Sequence, residues 1–132
     1  MARLGVWGPQ DITPALEALK GKADALYVVS DALIAANRTR MMRQALSEGL
    51  PTILGYDDYV EAGGLMSYGP NYADLFRRAA EMVDKILRGT KPGAIPVEQP
   101  IKFDLAININ TATALGLTMP PKLLATANEV IK

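Results

Sequence analysis

Between Glu61 and Asn71 the chain reads Glu-Ala-Gly-Gly-Leu-Met-Ser-Tyr-Gly-Pro-Asn, with three glycines and one proline in eleven residues. No regular element runs through such a segment, because glycine loses the most backbone entropy on ordering and proline lacks an amide donor. The backbone must change direction here. Gly63-Gly64 opens conformations closed to residues with a Cβ, Leu65 to Tyr68 is predicted to extend as a short strand, and Gly69-Pro70-Asn71 turns the chain into a helix. In an α/β chain such a junction sets polar side chains, here Ser67 and Tyr68, at the end of a sheet where ligands bind. A surface turn accounts for the same residues.

The flanking sequence supplies the α/β pattern. Asp11 is a candidate N-cap with Pro14 in the first turn of a helix, and Ile12, Leu16 and Leu19 recur at i, i+4 and i+7. Ala25 to Val29 is a continuous apolar run rich in β-branched residues, which predicts a strand buried on both faces in a parallel sheet. Ala32 to Glu48 carries Leu33, Ile34, Met41, Met42, Ala45 and Leu46 at near-helical spacing, with Gly49 as its C-terminal stop. Pro51 to Gly55 is a second buried strand, and strand, helix and strand make a βαβ unit. Beyond the junction, Leu75, Ala79, Met82, Val83, Ile86 and Leu87 form one stripe of a helix that Gly89 ends. Lys91 to Pro100, with three prolines, is an extended connection. Phe103 to Ile109 is predicted as a third main strand, Thr111 to Leu115 as a short helix, and Lys122 to Ile131 as a last helix.

A chain of 132 residues suits one domain with one core. Its 14 basic and 14 acidic residues balance, which removes the electrostatic case for nucleic acid or an anionic membrane. Without cysteine there is no disulfide or thiolate, and without histidine a zinc site or a Ser-His-Asp triad is excluded. No catalytic set, metal site or cofactor site is expected. No apolar run reaches the roughly 20 residues of a membrane span, and Met1 to Gly5 lacks the apolar core of a signal peptide.

Three stretches, Asp24 to Asp31, Leu50 to Gly55 and Glu61 to Gly69, resemble in their order the substrate-binding proteins of ABC transporters, in the tryptophan/tyrosine-type family. Ala79 to Gly89, Ile95 to Glu98, Ile107-Asn108 and Ala114 to Leu117 are similar to that family's carboxyl-terminal signature. The resemblance implies part of a type I periplasmic-binding-protein fold: an α/β lobe with a three-layer parallel sheet, incomplete because the matching portion is the carboxyl-terminal one. It further implies a periplasmic or extracytoplasmic, non-enzymatic protein that binds a small-molecule solute such as an amino acid and delivers it to a membrane permease. Residues 10–63 and 96–132 would belong to the second lobe, and residues 64–95 to a hinge crossing and a first-lobe helix. The apolar stripe of helix 71–88 would then lack its partner, so a homo-oligomer is expected to cover it.

Within that frame Ser30 and Asp31 follow a strand, where a carboxylate suits the ammonium group of an amino acid; Asp31 capping the next helix is the competing explanation. Tyr56, Asp57 and Tyr59 follow the next strand and would give an aromatic wall and a second acceptor, or stand as half-exposed loop residues. Ser67 and Tyr68 would face the cleft. Asn37, Arg38 and Arg40 suit a solvated helix face, Met41-Met42 the core, and Trp7 either a core anchor or an exposed end. Asp57-Asp58 superficially suggests a phosphoacceptor, but no acidic partner pair and later lysine complete it. A ligand-sensing regulatory domain of the same fold is the other functional class, and neither a helix-turn-helix nor a basic surface supports it.

Overall fold

The computed structural model describes residues 3–132; Met1 and Ala2, which open the stretch read as lacking an export signal, lie outside the described residues. In chain order the elements are α1 (Ile12–Glu17), β1 (Leu26–Tyr27), α2 (Ala32–Ala36), α3 (Arg38–Ser47), β2 (Thr52–Leu54), α4 (Asp58–Glu61), β3 (Met66–Pro70), α5 (Tyr72–Leu87), β4 (Phe103–Asn108), α6 (Ile109–Ala114), α7 (Pro121–Thr126) and β5 (Glu129–Ile131). The strands form one sheet in the order β1-β2-β3-β4-β5. Three of its pairings are parallel, while β3 and β4 run antiparallel in a register from Met66↔Ile107 to Pro70↔Phe103. The α/β class with helices flanking a mostly parallel sheet is as expected; the antiparallel pair arises because the chain crosses on β3 and comes back beside itself on β4.

The principal core lies between α1, α3, α4 and the first two strands, where Ile12, Leu16, Leu19, Val28, Met41, Met42, Ala45, Leu54 and Tyr59 cluster. The helical spacing of Ile12, Leu16 and Leu19 and the core position of Met41-Met42 hold. Trp7 is 92% exposed and anchors nothing. Asp11 works backwards rather than as the cap of α1: its carboxylate accepts from the amides of Trp7 (3.0 Å) and Gly8 (2.9 Å) and closes the turn before the helix.

Three expected elements differ. The helix over 32–48 is two helices, broken at Asn37, whose side-chain amide donates to the Leu33 carbonyl at 2.8 Å. β1 is not buried on both faces: it is an edge strand, and Tyr27 and Val29 alternate outward while Val28 is buried. The last helix stops at Thr126 and the chain becomes β5, parallel to β4. Asn128 makes that change, since its side-chain Oδ1 accepts from the Leu105 backbone amide (2.9 Å) while its backbone amide donates to the Leu105 carbonyl (2.8 Å). The β-branched Val130 and Ile131 then extend along the sheet. The short helix α4, over residues expected to form a loop, starts with the Asp57 carboxylate accepting from the Asp58 amide.

α5 is capped by Asn71, whose side-chain Oδ1 accepts from the Asp74 amide at 2.7 Å. Asp74 is its one buried residue. The expected stripe is covered only in part: Leu75 and Met82 are half-buried, while Val83, Ile86 and Leu87 (81%) are open to solvent, as is Phe76 (75%), which lay outside the expected stripe. The extended return lies along this helix through an ion pair between Arg78 and Glu98, leaving Val97 and Ile101 exposed.

Candidate functional site at the strand crossing

β1 and β2 are parallel neighbours, so Ser30 and Asp31 after one and Tyr56 and Asp57 after the other leave the same end of the sheet. β3 runs beside β2 with Leu54 opposite Ser67. Its backbone passes so close to β2 that a Cβ on Gly69 would run into the Gly55 carbonyl oxygen. Only hydrogen fits at that crossing.

A cavity of about 160 Å³ opens against this crossing, and Tyr56, Asp57, Ser67, Asn71, Tyr72 and Asp104 supply its polar and aromatic side chains. Ser67 is buried and shares its strand face with Gly69. The strand alternation that turns Ser67 into the cavity turns Tyr68 to the other face, where its ring stacks on Phe103 at 5.6 Å and is 57% exposed. Ser67 and Tyr68 therefore do not share one wall.

The aromatic part of the cavity is a stacked pair. The rings of Tyr56 and Tyr72 have centroids 4.6 Å apart and planes 12° from parallel. The hydroxyl of Tyr56 beside it, with burial adding, pushes the Tyr72 phenol up to about 12. Tyr59 is elsewhere: at 3% exposure it sits in the core, its ring 6.3 Å from that of Tyr56 and its hydroxyl without a hydrogen-bond partner among the described residues. Ser30 Oγ is likewise buried and unpartnered. Asp31 caps α2 by accepting from the Ile34 amide at 2.8 Å, and neither Ser30 nor Asp31 lines the cavity.

The residues that sequence reasoning missed are Tyr72 and Asp104, together with the full role of Asn71. Asn71 donates its side-chain amide to Asp104 at 2.6 Å, caps Asp74, and donates its backbone amide to the Lys102 carbonyl at 2.9 Å. The capping role was readable from Gly-Pro-Asn before a helical stripe; the bond to a strand 33 residues on was not. Asp74 completes the junction by pairing with Arg77 at 2.5 Å and Lys102 at 3.1 Å, and the Arg77 guanidinium first, then the Lys102 ammonium, hold its carboxyl below the ordinary carboxylate value. Asn108 and Thr111 tie the far end of β4 to the β2–β3 connection through the carbonyls of Val60 (3.1 Å) and Gly63 (3.0 Å).

Chemically the cavity offers acceptors and ring faces. Asp57 and Asp104 line it, no Lys or Arg does, and among the described residues no cluster of His, Cys, Asp and Glu could hold a metal. Such a lining favours a positively charged polar group next to a flat apolar one.

Several known proteins are similar to this chain. A tyrosine-binding protein from Clostridioides difficile (strain R20291) is 30% identical over 113 residues, 86% of this chain and 33% of its own length. A conserved domain protein from Vibrio cholerae superposes with a TM-score of 0.84 at 30% identity, covering 95% of this chain and 42% of that one. The ABC domain in complex with L-Trp from Streptococcus pneumonia gives 0.82 at 29% identity, with 96% and 44% covered. A ligand-free, open substrate binding protein with adhesive properties from Clostridium difficile gives 0.75 at 28%, with 99% and 44% covered. The chain thus spans less than half the length of these relatives. The sequence profile of the ABC transporter substrate binding protein matches residues 3–131, and the chain belongs to that family.

Proposed function

We propose that this chain is a solute-binding part of an ABC-type import system, non-enzymatic, taking an amino acid with an aromatic side chain. The observation that carries the reading is the cavity at the crossing, where two carboxylates, a buried serine and a pair of tyrosine rings converge without a cation. The ammonium group of the solute meets Asp57 and Asp104, and its side chain meets the rings. The names of two relatives, one tyrosine-binding and one holding L-Trp, support the same class. Ser30 Oγ, buried and unpartnered, and the free oxygen of Asp31 are the groups at the end of β1 that a solute spanning the sheet end would engage. On this reading Tyr59 supports the wall from the core, and Tyr68 acts at the opposite face of the crossing.

Residues 10–63 and 96–132 then form the second-lobe part, and residues 64–95 the crossing and a first-lobe helix. Import requires a permease that recognises the solute-loaded form, in an extracytoplasmic setting; no helix among the described residues is long and apolar enough to cross a membrane itself. We also propose that a second copy covers the open stripe of α5, since Phe76, Val83, Ile86 and Leu87 together make an apolar face too continuous to stay in water.

The test is a thermal-shift titration of the chain with the twenty amino acids. An aromatic amino acid should raise the melting temperature with concentration, by an amount corresponding to about 2.7 kcal/mol at a hundred times Kd. A flat response to all of them would remove the solute-binding reading.

A further inference from the structure

We propose that Tyr72 is a specificity-determining residue, one jaw of an aromatic clamp with Tyr56 that a flat solute ring must open; this rests on the solute-binding reading. Tyr72 is the first residue of α5, and Tyr56 follows β2, so the residues before and after β3 in the chain bring two rings to the same cavity. Their centroids lie 4.6 Å apart with planes 12° from parallel, which leaves no room between them. A ring inserted there needs van der Waals contact on both faces, so the pair must part to roughly 7–8 Å. The closed stack is the resting form, in which each phenol covers the face that a solute would use.

What holds it is the stack itself and the contact between the two hydroxyls. Both rings are partly exposed, and Tyr72 stands at the very start of α5, where a side-chain rotation or a small swing of the helix about the crossing separates it from Tyr56. The acceptors lie beside the rings: Asp57 directly follows Tyr56, and Asp104 is held by Asn71, the residue before Tyr72. A solute anchored by its ammonium at these carboxylates is positioned to push its side chain into the clamp. An aromatic side chain replaces one ring–ring stack with two, whereas an aliphatic one breaks the stack and gains no equivalent face. Tyr72 therefore separates aromatic from aliphatic solutes.

Calorimetric titration of the chain with L-tryptophan, L-tyrosine and L-leucine, comparing Tyr72→Leu and Tyr72→Phe, tests this. Tyr72→Leu should weaken aromatic binding about tenfold, the scale of one lost aromatic pair, while Tyr72→Phe retains it. Leucine, if it binds at all, should be indifferent to either change. Unchanged aromatic affinity in Tyr72→Leu, or an equal loss for leucine, overturns the clamp and leaves the solute-binding reading standing. No heat from any of the three with the unsubstituted chain overturns both. Should Tyr72→Leu fail to fold, judged by its circular dichroism and melting, Tyr56→Leu removes the opposite jaw and carries the same expectation.

Discussion

At position 69 the backbone tolerates a hydrogen and nothing larger, because the Gly55 carbonyl oxygen occupies the place of a Cβ. Gly69→Ala should cost about 1–3 kcal/mol in urea denaturation, as overpacking does where backbone rather than a flexible side chain must yield. Gly93→Ala, with no atom near its added methyl, should leave the midpoint unchanged. The same residue scale explains which residues of the cavity could be read from the sequence. Ser67 was legible from its place in a glycine-flanked strand, and Tyr56 and Asp57 from their place after one. Pairing Ser67 with Tyr68 ignored the two-residue period that sends them to opposite faces. Tyr72 and Asp104 could not be found locally, because each gains its meaning from a partner across the crossing: Tyr56 for one and Asn71 for the other.

Elements obey the sequence where their ends are chemically marked. Gly49 and Gly89 stop helices at positive φ as their placement suggested, and Gly116 does the same after α6. They depart from it where a remote strand offers a better partner, as Leu105 does for Asn128 in drawing residues 129–131 into the sheet. The junction of α5 with β4 is likewise electrostatic and long-range. Asp74 on the helix pairs with Arg77 and with Lys102 on the returning segment. Its folded carboxyl titrates below the ordinary 3.8, so the stability it contributes is present above that value and lost as pH falls through the lower folded one. Melting temperature followed from pH 6 downward should therefore fall in the acid range, and Asp74→Asn should flatten that fall while melting lower than the unsubstituted chain at neutral pH.

At the scale of the whole molecule, the fold class and the order of strands before the crossing were legible because a parallel β1–β2 pair follows from apolar runs joined by helices, although β1 proves to be an edge strand. The antiparallel β3–β4 ladder was not, since about thirty residues separate its strands and no local pattern specifies that the return lies alongside the departure. The stripe of α5 was readable and is in part open to solvent, which is where assembly should occur. Light scattering is expected to give a dimer or larger species, and the double change Val83→Glu with Leu87→Glu should return it to a monomer without altering its circular dichroism; a monomer before substitution would refute the second-copy proposal. The ladder itself has a mechanical consequence. Past Ser67 and Ala106, where β2 and β5 no longer flank them, β3 and β4 run on as a two-stranded ribbon from Tyr68↔Leu105 to Pro70↔Phe103, which cannot slide without breaking its ladder yet twists at little cost. Whatever α5 does relative to the sheet, it should do as torsion about the ribbon's long axis, a turn of a key rather than the pull of a drawer.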